Sequence, residues 1–207
     1  MSQSYKLPLE AASAEFAEKK SRFIASISPV SSEDEALSFL RAVRGKYKDA
    51  NHNVYAYRVR DNNITRYNDD GEPGGTAGMP LLDVFIKQDI YDFCCVATRY
   101  FGGIQLGAGG LVRAYSRCGV LAIEKSGVGI MRELAVCSVA MPYALYESVK
   151  RVLVEKGVRM DGEDFGAEVV LKFALPSEAV AQLRSKVTEL TSGTVSIIEE
   201  KMSMAVW

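Results

Sequence analysis

Phe93-Cys94-Cys95-Val96-Ala97-Thr98-Arg99-Tyr100-Phe101-Gly102-Gly103-Ile104-Gln105-Leu106-Gly107-Ala108-Gly109-Gly110-Leu111-Val112-Arg113 is the stretch that decides how the first part of this chain folds. Phe93 to Thr98 is nearly all apolar, as a strand is when both of its faces are covered. The glycines after Thr98 suit neither a helix nor a strand interior. Near Gly109 a helical period begins, with Leu111, Ala114, Cys118 and Leu121 along one stripe. The segment therefore reads as a buried strand, a glycine-rich loop and the start of a helix.

Upstream lies a second loop of the same kind, Asp69-Asp70-Gly71-Glu72-Pro73-Gly74-Gly75-Thr76-Ala77-Gly78-Met79-Pro80. Pro80 suits a first helical position, and Leu81, Leu82, Phe85 and Ile86 fit a short amphipathic helix after it. Earlier still, Phe23, Ala25 and Ile27 alternate with polar neighbours, predicting a strand that ends at Pro29. Ser32 and Glu35 form a capping box before a helix carrying Leu37, Leu40 and Val43, with Gly45 as its terminator. Asn53 to Val59 alternates again, placing Tyr55 and Tyr57 on one face. Asp61-Asn62-Asn63 reads as a turn before a short strand through Ile64 and Tyr67.

Beyond Gly127 and Gly129 the pattern changes character. It predicts a strand over Glu133 to Ala140, then a helix with Leu145, Val149, Val152 and Leu153. A strand beginning at Val158 to Met160, a turn over Asp161 to Gly166 and a strand through Val169, Leu171 and Phe173 follow. Pro176-Ser177-Glu178 opens a helix with Val180, Leu183, Val187 and Leu190, closed by Gly193, and a strand spans about Thr194 to Glu200. That order, βαββαβ, is the ferredoxin-like split unit. The expected architecture is α+β, two α/β sandwiches, with domains at 1–130 and 131–207.

Composition narrows the function. Of 207 residues 48% are apolar and 25% charged, with a net charge of −1, which argues against a generally basic nucleic-acid coat. No apolar run is long enough to span a membrane. Met1-Ser2-Gln3-Ser4-Tyr5-Lys6 lacks a signal-peptide pattern, and Cys94, Cys95, Cys118 and Cys137 lack metal or disulfide spacing. A cytoplasmic protein without a cofactor is the expectation.

Both loops deliver the chain to a helix N-terminus, where free N–H groups and the helix dipole favour an anion. Arg99 leads the second loop, Arg113 lies in the first turns of its helix, and Arg117 follows one turn later. With Thr76, Gly102, Gly103, Gly109 and Gly110 these form a candidate anion or nucleic-acid site. Lys19, Lys20 and Arg22 are a short basic cluster that serves either as a phosphate contact or as an edge-strand guard. His52, the sole histidine, stands at a strand start without a nucleophile motif, either structural or an anion contact. Tyr55, Tyr57, Tyr100, Phe101 and Tyr115 are either stacking faces for bases or core. In the signature acidic loop, Asp69, Asp70, Gly71, Glu72 and Pro73, three carboxylates could offer oxygens to Mg²⁺. The EF-hand spacing is absent, and no metal is expected. The competing reading is that Arg99 and Arg113 pair with those carboxylates and bind nothing.

Lys19-Lys20-Ser21-Arg22-Phe23, Asp69-Asp70-Gly71-Glu72-Pro73, Gly75-Thr76-Ala77-Gly78, Arg99-Tyr100-Phe101-Gly102-Gly103 and Leu106 to Tyr115 together, in order, resemble the signature of the YigZ/IMPACT family. The resemblance implies a first domain like the second domain of a small-subunit ribosomal protein. The tail is similar to the last, ferredoxin-like domain of elongation factor G. In eukaryotes, the resemblance implies, the family member regulates a translation-initiation kinase by competing for its activator; that form carries an extra N-terminal domain, absent here, so the competition is not carried over. For bacterial members the resemblance implies contact with RNA, the ribosome or a translation-related protein, and it carries over no catalytic residue. Gly107-Ala108-Gly109-Gly110-Leu111 is also similar to a kinase phosphate loop, but Val112 and Arg113 stand where serines belong. Three functions are thus carried forward: a non-catalytic translation-associated binder, an enzyme acting on a nucleotide or small phosphorylated metabolite, and a purely protein-interaction regulator. The first is preferred.

Overall fold

The structure, a computed structural model, describes residues 4–207 and divides into two compact units, Tyr5–Ile130 and Met131–Trp207. Met1 to Gln3, half of the terminal segment Met1 to Lys6, lie outside the described residues.

In the first unit the strands are β1 (Tyr5–Pro8), β2 (Ala12–Glu18), β3 (Ser21–Pro29), β4 (His52–Val59), β5 (Ile64–Asn68) and β6 (Phe93–Tyr100). Its helices are α1 (Glu33–Lys46), α2 (Gly78–Lys87) and α3 (Ala108–Ser126). Strands β2-β3-β6-β4-β5 lie side by side in one antiparallel sheet. Helices α2 and α3 cover one face, where Phe85 stacks on Phe93 at 3.8 Å between ring centroids and Tyr115 meets Phe23 edge-on at 5.5 Å. Helix α1 covers part of the other face through Ala36, Leu40 and Val43, against Tyr57, Val59, Cys94 and Val96. Burial on two sides explains why central β6 is apolar without alternation.

Several local expectations shift by a few residues. Ser32 caps α1 by accepting from the Glu35 N–H, but the Glu35 carboxylate turns to Ser31, and the helix runs past Gly45 to Lys46. Pro80 is the third residue of α2, not the first. Strands β1 and β2 carry too weak an apolar alternation to have been foreseen. Lys19 and Lys20, both at positive φ, form the two-residue turn of the β2–β3 hairpin. The edge of the sheet is therefore β2, so these lysines guard no edge strand of their own.

In the second unit β7 (Val128–Met141), α4 (Tyr143–Glu155), β8 (Arg159–Phe165), β9 (Val169–Pro176), α5 (Val180–Leu190) and β10 (Ile197–Val206) follow the βαββαβ order. The strands align as β10-β7-β9-β8, all antiparallel, with α4 and α5 packed on one face over Val139, Leu171 and Phe173. This is the ferredoxin-like arrangement. The segment Asp161 to Phe165, expected as a turn, is instead strand β8. It is polar because it is an exposed edge, and a bulge between Met160 and Gly162 breaks its alternation. Strand β10 begins and ends later than expected, because it pairs across another bulge as far as Met131. Among the described residues no helix is long and apolar enough to cross a membrane.

Candidate functional site

The acidic loop and the second glycine-rich loop come together beside the start of α3. Three neighbouring carboxylates of the acidic loop diverge. Asp69 accepts from the N–H groups of Gly75 (2.9 Å), Ala77 (3.1 Å) and Gly78 (2.7 Å), so it fills the N-terminus of α2 from within. Asp70 turns the other way, accepting from Arg44 at 2.8 Å and from the Asn53 N–H at 2.6 Å. Glu72 points inward and accepts from Arg99 Nη1 and from the Tyr115 hydroxyl, each at 2.7 Å. The three do not converge on a common point, and no metal-ligating group forms among the described residues. Each carboxylate is already directed to a different partner.

Arg99 and Glu72 form a buried ion pair, 5% and 8% exposed respectively. Arg99 Nη2 also donates to Ser21 Oγ at 3.3 Å, and its Nε is sealed from solvent without a partner. A buried pair of this kind holds parts of the chain together, because removing either charge strands the other in a poorly solvating interior. Burial and the bond to Glu72 push the Tyr115 hydroxyl far above the usual tyrosine range, so it remains a donor. His52 is tied to the same cluster. Its Nδ1 lies 2.8 Å from the Asp70 carbonyl, which can only accept, so Nδ1 carries the proton. The other ring nitrogen, Nε2, lies 3.9 Å from Glu72 Oε1.

Close approach is what Gly102 supplies. A Cβ there would stand 1.9 Å from the Lys20 carbonyl oxygen, so the second loop packs directly on the β2–β3 turn. Its N–H reaches Ser21 Oγ at 3.4 Å. Thr76 is likewise turned inward, with both its N–H and its hydroxyl on the Pro73 carbonyl. Arg22 pairs with Glu15 at 2.6 Å. Arg99, Gly102, Thr76 and Arg22, all candidate anion contacts in sequence, are therefore occupied within the protein. Gly103, at positive φ, has open space beside it.

The remaining candidates stay open. Gly107, at φ 71°, turns the chain into α3, and no side chain caps that helix. The N–H groups of Ala108, Gly109 and Gly110 have no acceptor among the described residues. Arg113 has no hydrogen bond or ion pair among the described residues, and its Nη1 curls back to within 3.6 Å of where a Gly109 Cβ would stand. Arg117 lies 4.4 Å from the centre of the Phe16 ring and forms no ion pair. Lys19 joins both arginines around a depression of about 230 Å³ that also includes Glu18 and Gly110.

A second cleft, about 370 Å³, opens on the other side of Leu106. Glu72, Arg99 and His52 form its polar wall, Pro73, Phe101 and Leu111 its apolar one, and the start of α3 its rim. Of the five aromatic residues proposed as stacking faces, only Phe101 is substantially open, at 46%. Tyr115 and Tyr57 are core, while the Tyr100 hydroxyl donates to Asp49.

The family model for the Impact N-terminal domain matches residues 19–123, the span that holds both loops and both depressions. The chain belongs to the IMPACT family. A domain of unknown function, DUF1949, matches residues 139–194 of this IMPACT-family chain. IMPACT family member YvyE of Bacillus subtilis (strain 168) is 35% identical over 204 residues, covering 98% of the chain and 94% of that relative. A Protein IMPACT homolog of Dictyostelium discoideum is 42% identical over 95 residues, but these are 44% of the chain and 27% of that protein. The crystal structure of a hypothetical protein superposes with a TM-score of 0.60 at 29% identity, covering 97% of this chain and 100% of the other.

The competing reading paired both Arg99 and Arg113 with the loop carboxylates; Arg99 does pair with Glu72, but the Tyr115 bond to Glu72 and the capping role of Asp69 were not foreseen. Asp69 stands nine residues before Gly78, outside the spacing of any local cap motif, so no sequence signal reports it. Asn51 and Gln105, which line the larger cleft, carried no signal either.

Proposed function

We propose that this IMPACT-family protein is a translation-associated regulatory protein that binds RNA, of the ribosome or of a transfer RNA, through the groove at the start of α3. The observation that carries this reading is the convergence of Lys19, Arg113 and Arg117, none of them in an ion pair among the described residues, beside three unaccepted N–H groups of one helix. The groove concentrates positive charge locally in a chain of net charge −1, and phosphate is the polyanion such a site suits. The resemblance of both units to modules of the translation apparatus supports the biological setting. The family model for the Impact N-terminal domain matches residues 19–123, the span that contains the groove, which supports this reading.

Filter binding to transfer and ribosomal RNA across a salt series tests the reading. Three phosphate contacts predict a slope of about −2 in log affinity against log salt for a single strand. Arg113→Glu should abolish binding and leave the unfolding midpoint in place, because the side chain has no partner to lose. Salt-independent binding, or full binding by Arg113→Glu, overturns it.

A further inference from the structure

The larger cleft contains an acceptor that the fold leaves unused. Glu72 gives Oε1 to both Arg99 and Tyr115, while Oε2 accepts no hydrogen bond from the described residues. Unlike Arg99 Nε, this oxygen is not sealed from solvent, although the side chain as a whole is only 3% exposed. Glu72 lines the cleft, so its reachable oxygen is within the reach of a donor bound there. Burying a charge without giving it full hydrogen bonding is costly, so a donor brought by a ligand is favoured there.

His52 adds a second acceptor. With Nδ1–H on the Asp70 carbonyl, the ring's other nitrogen, Nε2, is an acceptor whenever the imidazole is unprotonated, and it lies 3.9 Å from Glu72 Oε1. Two neighbouring acceptors suit a group with two N–H bonds, an amino group, better than a lone ring N–H. Phe101 offers an open ring face on the same cleft, with the Arg99 guanidinium 5.5 Å from its centroid. At the rim, the uncapped start of α3 awaits an anion. Amino-bearing ring and phosphate are the two ends of one ligand class.

We infer that the cleft between the acidic loop and the start of α3 binds a single unpaired nucleotide whose base carries an exocyclic amino group, with the base on Phe101, the amino group on Glu72 Oε2 and His52 Nε2, and the phosphate on the N–H groups of α3. This deepens the RNA reading and rests on it: the nucleotide is the terminal or splayed-out residue of a strand whose backbone continues into the adjoining Lys19–Arg113–Arg117 groove, which shares Leu106 with the cleft. Carboxylates accept from the cytosine amino group in known base readout, and aromatic faces stack on any base.

Cytidine and uridine monophosphates differ at the critical position, an amino group against a carbonyl, and so form the cleanest pair. Isothermal titration of the full chain with each, and with inorganic phosphate, should give at least tenfold tighter binding of cytidine monophosphate than of the other two. Phe101→Ala should weaken it about tenfold with an unchanged melting temperature, and Glu72→Gln should erase the preference over uridine monophosphate if it folds. Arg117→Glu, which lies outside the cleft, should leave the affinity for the mononucleotide within twofold while weakening RNA. Equal binding of the two nucleotides, no saturable binding, or an indifferent Phe101→Ala overturns the inference. Salt-dependent RNA binding without nucleotide discrimination would sink this site alone, whereas discrimination without RNA binding would sink the RNA reading alone.

Discussion

The first glycine-rich loop leads into α2 and the second into α3, and both were drawn from the same few residue types. At α2 the chain supplies its own anion: Asp69 reaches forward and satisfies the N–H groups of Gly75, Ala77 and Gly78. At α3 no such residue is found among the described residues, and the N–H groups of Ala108, Gly109 and Gly110 are left open beside Arg113. The same contrast separates two arginines. Arg99 is enclosed and bound to Glu72, while Arg113 is exposed and has no ion pair or hydrogen bond among the described residues. Glycine at a helix start therefore creates a potential anion site, and the presence or absence of an internal carboxylate decides whether it serves stability or binding.

The largest expected effect falls on the enclosed arginine. Arg99→Ala leaves Glu72 charged and buried without its partner, which costs about 3–5 kcal/mol in urea unfolding. A near-neutral result would mean that the pair contributes no more than a surface ion pair and that the contrast with Arg113 is false. Gly102→Ala comes next. Its new Cβ collides with the Lys20 backbone, so the two loops must separate, at about 1–3 kcal/mol or more. Asp69→Ala removes the internal cap of α2 at about 0.5–2 kcal/mol. It also exposes a second helix start to anions, so phosphate should protect this variant against thermal unfolding more than the parent. The smallest change sharpens the comparison most. Ala108→Asp gives α3 the carboxylate that α2 already has, and should stabilise by about 0.3–1 kcal/mol while RNA and nucleotide binding fall. If binding persists in that variant, the open start of α3 is not the anion site.

Much of the fold was readable without coordinates. The unbroken apolar run Phe93 to Thr98 announced a strand covered twice, and the tail's alternation of patterns announced the ferredoxin-like order. What was missed has physical causes. Strand β8 is a polar edge whose pairing, not its side chains, makes it a strand. Strand β2 alternates small and charged residues that only half bury. The basic cluster Lys19 and Lys20 was visible, but its role as a hairpin turn depends on two consecutive positive φ values, which the side chains do not advertise.

The candidate site divides in the same way. Helix starts, glycine loops and the arginines near them follow from sequence alone, because they depend on neighbours within one or two turns. Whether Arg99 or Arg113 would be free did not follow, since Arg99 finds Glu72 across 27 residues and Tyr115 joins it across 43. Burial and long-range pairing are properties of the packed chain, and they alone determined which of two similar loops was filled from inside and which was left for a ligand.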